Sequence, residues 1–329
     1  MNNKREHSTN LLEVKGVSKW FPIRRGVLSR TIGHVKAVND VNLNIRKGET
    51  VGLVGESGCG KTTLGRTIVG LESPTTGEIL FNGRSIASNK SFRDAGLRRR
   101  IQMIFQDPYS SLNPRMSISD IVSEGMISHK MFNRSDALKE AERLLAEVGL
   151  DGRALNRYPH EFSGGQRQRI SIARALSLKP EMIVCDEAVS ALDVSVQAQV
   201  INLLIDLKEK YDLSLLFISH DLSVVHHISD RVAVMYLGRV VEEGPVELVI
   251  NHPKHPYSRS LIESIPVPGR NKKLANKTIL KGEIPSPANP PSGCPFHTRC
   301  PKIFERCKLE IPKRVRTDAR DVWCHLYDM

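Results

Sequence analysis

Thr50-Val-Gly-Leu-Val54, followed at once by Gly55-Glu-Ser-Gly-Cys-Gly60-Lys61-Thr62, decides the fold. The short apolar run predicts a buried strand, and the second segment fits the pattern G-x-x-x-x-G-K-S/T. Glycine at 55, 58 and 60 lets successive backbone N–H groups turn inward around phosphate oxygens. Lys61 is then placed to reach the terminal phosphates, and the Thr62 hydroxyl to ligate magnesium. A helix starting near Lys61 adds its positive dipole end to the same anion. The predicted site comprises Gly55, Glu56, Ser57, Gly58, Cys59, Gly60, Lys61, Thr62 and Thr63, and its predicted ligand is a nucleoside triphosphate.

Composition narrows the setting. A chain of 329 residues is long enough for one large domain and an appendage, or for two domains. No apolar run approaches the ~20 residues that a membrane-spanning helix requires. The start, MNNKREHSTN, is polar and lacks the apolar stretch of a secretory signal, so the cytoplasm is the expected location. The formal charge of +12 is unevenly placed: residues 251–329 hold 15 Lys and Arg against 7 Asp and Glu, a net of +8. Such a tail suits nucleic acid, anionic lipid or a negatively charged cofactor, and equally a solvated surface.

Organisation along the chain alternates strand and helix over the first ~250 residues, an α/β pattern. Leu11–Ser18 and Val35–Ile45 read as strands, and Lys47-Gly48 as a turn. Gly70 is placed to end the helix after the phosphate loop. Asn82-Gly83 after Gly77–Phe81 reads as a hairpin turn. Over about 95–165 the period turns helical, with Ser135 as expected N-cap and Gly149 as the stop. Alternation then resumes with strands Met182–Cys185 and Leu215–Ile218 about a helix from Val196 to Leu207. Arg231–Met235 and Arg239–Glu242 flank Leu237-Gly238 as a closing hairpin. After Asn251, eight prolines between Pro253 and Pro291 exclude long helices except near Tyr257–Ser264.

Phosphate loops serve many chemistries, so the loop alone does not give the function. Five further segments follow in order: Phe105-Gln106-Asp107 after a strand; Phe162-Ser163-Gly164-Gly165-Gln166 before a basic helix; Met182-Ile-Val-Cys-Asp186-Glu187; Ser190-Ala-Leu-Asp193; and His220 at the close of the next strand. Over roughly residues 11–250 this set resembles the ATP-binding cassette family. The resemblance implies a RecA-like P-loop NTPase fold with an antiparallel β subdomain and a helical subdomain. It further implies an ATPase using ATP and Mg2+.

Roles carry over by position. Asp186 holds magnesium with Thr62, and Glu187 is the base that deprotonates the attacking water. Gln106 touches metal and water, and His220 contacts the terminal phosphate. Phe21 is matched to the aromatic that stacks on adenine, with Trp20 as its alternative. Ser163, Gly164, Gly165, Gln166 and Asp193 are implied to meet the triphosphate held by a second cassette, so that two cassettes sandwich two nucleotides. One departure from the family pattern is Ala188, where proline usually follows the acid pair. It is expected to loosen a turn and leave catalysis in place.

The tail extends the resemblance to nearly the whole chain. His255-Pro256-Tyr257, Gly282-Glu-Ile-Pro-Ser-Pro287 and Asn289-Pro-Pro291 before Gly293-Cys294 resemble the C-terminal region of dipeptide and oligopeptide importer ATPases, in detail the second of their two unlike ATPase subunits. The domains expected are therefore 1–250, a nucleotide-binding domain, and 251–329, a small proline-rich extension. The resemblance implies two transmembrane permease subunits, a second non-identical ATPase and an extracytoplasmic substrate-binding protein. Its expected location is the cytoplasmic face of the inner membrane, as a peripheral subunit with no nucleic-acid partner. Glutathione, nickel or heme are alternative cargoes to peptides. A soluble cassette protein acting on ribosomes or DNA and an exporter ATPase are the competing functions.

Cys294, Cys300, Cys307 and Cys324 crowd the same tail. Disulfides are disfavoured in a reducing compartment, so the group reads first as a metal or cluster site. The spacings of five, six and sixteen residues match neither tight zinc-ribbon pairs nor the compact ferredoxin run. Spacing leaves zinc and an iron–sulfur cluster equally open. Resemblance to the peptide-importer ATPases implies a four-iron four-sulfur (4Fe-4S) cluster on the four thiolates, in preference to ligation by His297 or His325.

Overall fold

A computed structural model of the chain describes residues 10–26, 29–86, 95–264 and 282–328. In chain order, β1 is Asn10–Arg25, β2 Arg30–Arg46, β3 Thr50–Val54, α1 Lys61–Ile68, β4 Thr76–Phe81 and β5 Arg84–Ser85. There follow α2 Ala95–Arg100, β6 Ile101–Ile104, α3 Pro108–Ser111, α4 Ile118–Ser128, α5 Arg134–Glu147 and α6 Gly164–Leu176. Next come β7 Met182–Asp186, α7 Val194–Tyr211, β8 Ser214–Ile218, α8 Leu222–Ile228, β9 Arg231–Tyr236 and β10 Arg239–Pro245. The chain closes with α9 Val246–Asn251, α10 Pro256–Glu263, α11 Glu305–Leu309, β11 Val315–Thr317 and β12 Arg320–Val322.

These elements form two compact units. The first is built on Ile45–Thr50 and Ile86–Ile218. Its strands β6, β7 and β8 run parallel, with Ile101 opposite Met182 and Met182 opposite Ser214. Every residue of β7 and β8 is buried, as expected of parallel strands covered on both faces. Helices α4, α5 and α6 pack on one another through Ile118, Ile121, Val122, Leu144, Leu145 and Ile170, each almost wholly buried. Each such aliphatic side chain contributes about 1.5–3 kcal/mol on burial.

The second unit comprises Leu12–Asn44, Val51–Ser85 and Ser219–Met329. One of its sheets has the order β2-β1-β4-β5. The other runs β11-β12-β10-β9-β3, with β3 parallel to β9 and Val51 opposite Arg231. The C-terminal extension thus supplies two strands: Val322 of β12 lies opposite Glu242 of β10, and Trp323 N–H donates to the Val241 carbonyl at 3.0 Å.

Both hairpin turns expected from sequence are present. Phe81 pairs with Arg84 around Asn82 (φ 48°) and Gly83 (φ 71°), and Tyr236 pairs with Arg239 around Leu237 and Gly238. Gly70 (φ 80°) follows α1, and Gly149 (φ 76°) follows α5.

Two expectations require correction. The N-cap of α5 is Asn133, not Ser135: Asn133 Oδ1 accepts from Asp136 N–H at 2.9 Å, which places Ser135 inside the helix. Strand β1 continues past Ser18 to Arg25 and β2 begins at Arg30, before Val35. The helical stretch expected over about 95–165 also contains α4, which begins after Ser117, whose hydroxyl accepts from Asp120 N–H. Pro266 and Pro268 lie outside the described residues.

Candidate nucleotide site and thiol group

The phosphate-loop residues Gly55 to Thr63 lie between β3 and the first turn of α1. Gly55 (φ 156°) and Gly60 (φ 106°) are fixed by close approach: a Cβ there would lie 2.2 Å from the Met235 carbonyl oxygen and 2.0 Å from that of Ala37. No other residue fits either position without moving backbone. Gly60 is also the N-cap of α1 and offers no side-chain acceptor, so the first N–H groups of the helix face the loop. Lys61 is 4 % exposed and turns back into the loop, its Nζ donating to the carbonyls of Gly55 at 2.8 Å and Glu56 at 3.2 Å. A buried ammonium needs acceptors, and phosphate oxygens are the stronger ones it can exchange for these carbonyls. Burial raises the Cys59 thiol above its ordinary range.

Phe21 and Trp20 stand side by side on β1, so their side chains leave opposite faces of the strand. Lys19 Nζ lies 4.9 Å from the centre of the Phe21 ring, and Lys36 Nζ lies 5.3 Å from that of Trp20. His220 is exposed and immediately precedes Asp221, the N-cap of α8. Phe21, the phosphate loop and His220 all belong to the second unit.

In the first unit, β7 ends at Asp186, 2 % exposed, opposite Ile218 of β8. Glu187 follows in the left-handed region (φ 48°), a conformation that costs a non-glycine residue about 1–3 kcal/mol. It is held there by its N–H to the Ile218 carbonyl at 3.0 Å and by its carbonyl, which accepts from Ser190 N–H at 3.1 Å and Ser190 Oγ at 3.0 Å. Gln106, two residues beyond β6, donates from Nε2 to Glu187 Oε2 at 3.1 Å. Ala188 is buried in the same turn, which Ser190 closes without a proline.

Ser163 caps α6 in a reciprocal box: its hydroxyl accepts from Gln166 N–H at 3.3 Å, and Gln166 Oε1 accepts from Ser163 N–H at 2.9 Å. A Cβ on Gly165 would lie 2.3 Å from Val196 Cγ1, so glycine lets α6 meet the start of α7 closely. Asp193 caps α7 by accepting from Val196 N–H at 3.0 Å, and this bond holds its carboxyl below the ordinary range. The two helix starts therefore lie together, with Ser163, Gly164 and Asp193 at the surface or partly so.

Oxygen donors make up the sequence-predicted magnesium set: the Thr62 hydroxyl, the Gln106 amide and the Asp186 carboxylate. That chemistry fits a hard divalent cation.

The four clustered cysteines lie in one C-terminal module. Cys294, Cys307 and Cys324 are buried and Cys300 is partly so. Cys294 N–H donates to the Cys307 carbonyl at 2.8 Å, and a Cβ on Gly293 would lie 2.5 Å from that same oxygen. Burial pushes the Cys294 thiol up to about 12 and Cys324 to about 11, and the neighbouring thiols act in the same direction. Among the described residues, however, no three His, Cys, Asp or Glu side chains are grouped so that they could hold a metal ion. The thiols are gathered but not closed around a centre. His297 Nδ1 pairs with the Cys294 carbonyl at 2.9 Å and His325 Nε2 with that of Glu310 at 2.9 Å, so each has a structural partner.

A phosphate loop, an Asp-Glu strand end and a glycine-bearing helix start on an α/β frame define an ATP-binding cassette ATPase. Residues 38–190 match the ABC transporter family, and residues 241–307 match the family described as "Oligopeptide/dipeptide transporter, C-terminal region". The chain is 53 % identical over 321 residues to "Oligopeptide transport ATP-binding protein AppF" of Bacillus subtilis (strain 168), covering 96 % of this chain and 97 % of that one. It is 49 % identical over 320 residues to "Probable peptide ABC transporter ATP-binding protein y4tS" of Sinorhizobium fredii, covering 97 % and 90 %. Among solved structures, the ATP-binding cassette MJ0796 bound to ADP and Pi superposes with a TM-score of 0.63 at 28 % identity, covering 71 % of this chain and 98 % of that one. The chain belongs to the ATP-binding cassette ATPases that carry the oligopeptide/dipeptide transporter C-terminal region. Among the described residues no helix is long and apolar enough to cross a membrane.

Proposed function

We propose that this ATPase energises peptide uptake as the peripheral subunit of an importer on the cytoplasmic face of the inner membrane. The observation that carries the hydrolytic reading is the hydrogen bond from Gln106 to Glu187, which holds a carboxylate beside the end of β7. In this reading Glu187 takes the proton of the attacking water, whose oxygen bonds to the γ-phosphorus as the bond from that phosphorus to the bridging oxygen breaks, and ADP and phosphate leave. Lys61 neutralises the terminal phosphates, His220 contacts the outermost one, and Phe21 stacks on adenine. Thr62, Gln106 and Asp186 would hold Mg2+, which would supply charge neutralisation on the phosphate oxygens. Ser163, Gly164, Gly165, Gln166 and Asp193 face the nucleotide of a second, unlike cassette.

The peptide-transport names of relatives matched over nearly their whole length support the cargo class. Two permease subunits and an extracytoplasmic binding protein complete the assembly. Isolation of the full-length chain from native membranes tests this. Two integral membrane proteins and a second cassette ATPase should accompany it, whereas ribosomes or DNA in their place would contradict the reading.

Cys294, Cys300, Cys307 and Cys324 are read as ligands of a 4Fe-4S cluster on the resemblance of the tail to peptide-importer ATPases alone, with zinc as the alternative that four thiolates fit equally, and residues 251–329 are read as the extension that carries them. The basic surroundings would offset the charge of such a group. Protein prepared without oxygen should contain iron and acid-labile sulfide in equal amounts. Zinc without iron would contradict the assignment.

A further inference from the structure

Glu56, the second residue of the phosphate loop, has all its polar groups engaged within the second unit. Its N–H donates to the Tyr257 hydroxyl at 2.9 Å, and its carbonyl accepts from Lys61 Nζ at 3.2 Å. Its carboxylate takes a two-pronged contact from Arg299, Nη1 to Oε2 at 2.7 Å and Nη2 to Oε1 at 3.0 Å. The Arg299 side chain is 6 % exposed and the Glu56 side chain 22 %. Neither Tyr257 nor Arg299 belongs to the loop or to any segment that the sequence singled out for nucleotide binding.

Both are held firmly. Tyr257 is fully buried, its ring 4.6 Å from Tyr236 and 5.4 Å from Phe296. Arg299 lies over the Tyr236 ring at 5.8 Å, directly before Cys300 in a turn closed by its own N–H to the Phe296 carbonyl at 3.0 Å. Planar, two-pronged pairing of guanidinium and carboxylate fixes orientation as well as charge.

A glutamate inside a phosphate loop poses a physical problem. Its negative charge opposes the triphosphate that the loop has to hold, and opposition between like charges grows in a partly buried setting. Arg299 resolves this by neutralising the carboxylate, while Tyr257 fixes the backbone of the same residue. We infer that Arg299 and Tyr257 are positioning residues of the phosphate loop, through which the C-terminal extension sets the affinity for ATP. The inference rests on reading Gly55–Thr62 as the phosphate loop.

The test uses the full-length chain and measures ATP affinity together with KM and kcat. Arg299→Ala should raise KM for ATP roughly tenfold, the effect of losing a charge-assisted contact, with kcat within about twofold. Arg299→Lys should recover part of the loss. Adding Glu56→Ala to Arg299→Ala should recover affinity, because it removes the stranded carboxylate. Tyr257→Phe, which deletes a single oxygen, should raise KM a few-fold. Unchanged KM in both Arg299→Ala and Tyr257→Phe would overturn the inference, as would a Glu56→Ala/Arg299→Ala double variant weaker than either single one. Lys61→Ala separates the two layers: retained ATP affinity there would overturn the loop reading itself.

Discussion

Gln106 and Glu187, 81 residues apart, meet through a 3.1 Å hydrogen bond from Nε2 to Oε2. The bond restrains the one acidic side chain that follows Asp186 and sits on a left-handed backbone. Gln106 belongs to the loop after β6, so that loop and the strand-end acid share one contact. Gln106→Ala should therefore lower kcat by about 10- to 100-fold, a part of the range for misplaced general bases, with little change in ATP affinity. Steady-state kinetics beside a nucleotide titration checks this. An equal loss in affinity would show that Gln106 acts mainly in binding.

At the helix start that carries Ser163, the close contact between Gly165 and Val196 makes an opposed pair of effects. Gly165→Ala gains about 1 kcal/mol in helix propensity. It also puts a methyl group 2.3 Å from Val196 Cγ1, and overpacking of this kind costs about 1–3 kcal/mol. The clash should win, leaving a net loss in a urea melt. Because the cause is local, Gly165→Ala with Val196→Ala should be more stable than Gly165→Ala alone.

His255 gives a pH dependence with a definite sign. It is fully buried, and burial pushes its imidazole down to about 3. Its Nδ1 accepts from Tyr257 N–H at 3.0 Å, so the folded chain holds it neutral with the proton on Nε2. In the unfolded chain it takes up a proton near pH 6.5. Its contribution is thus fully present above that pH and is lost as pH falls toward 3, with a slope of up to about 1.4 kcal/mol per unit. Denaturant midpoints between pH 7 and 5 should fall less steeply for His255→Gln than for the unaltered chain. Equal slopes would assign the acid limb to other groups.

Local signals made much of the frame readable from sequence. Asn82-Gly83 and Leu237-Gly238 mark hairpins because their backbone angles suit so few residues. The strands at Thr50–Val54 and Leu215–Ile218 are continuous apolar runs, as buried parallel strands are. What escaped the sequence depends on distance or competition. Asn133 and Ser135 are both good caps, and the contact of Asn133 with Asp136 decides between them. Strand β1 runs on to Arg25 beside β2, its neighbour in the sheet, and Trp20 N–H finds Thr75 Oγ1 at 3.0 Å, a partner 55 residues away. The Arg299–Glu56 pair spans 243 residues, and no local pattern points to it. The four thiols were legible as a group, but not the spacing of their side chains, which packing of the module sets.

Replacement of Glu187 by Gln tests the central claim most directly. The amide keeps the shape and the contact region of the side chain but cannot accept the proton of the attacking water. In the full-length protein, ATP should bind with unaltered affinity while single-turnover hydrolysis falls by at least about 100-fold, the usual effect of removing a general base. ATP should then be recovered intact from the trapped protein. Hydrolysis within twofold of the unaltered chain would contradict the assignment of Glu187 as the base.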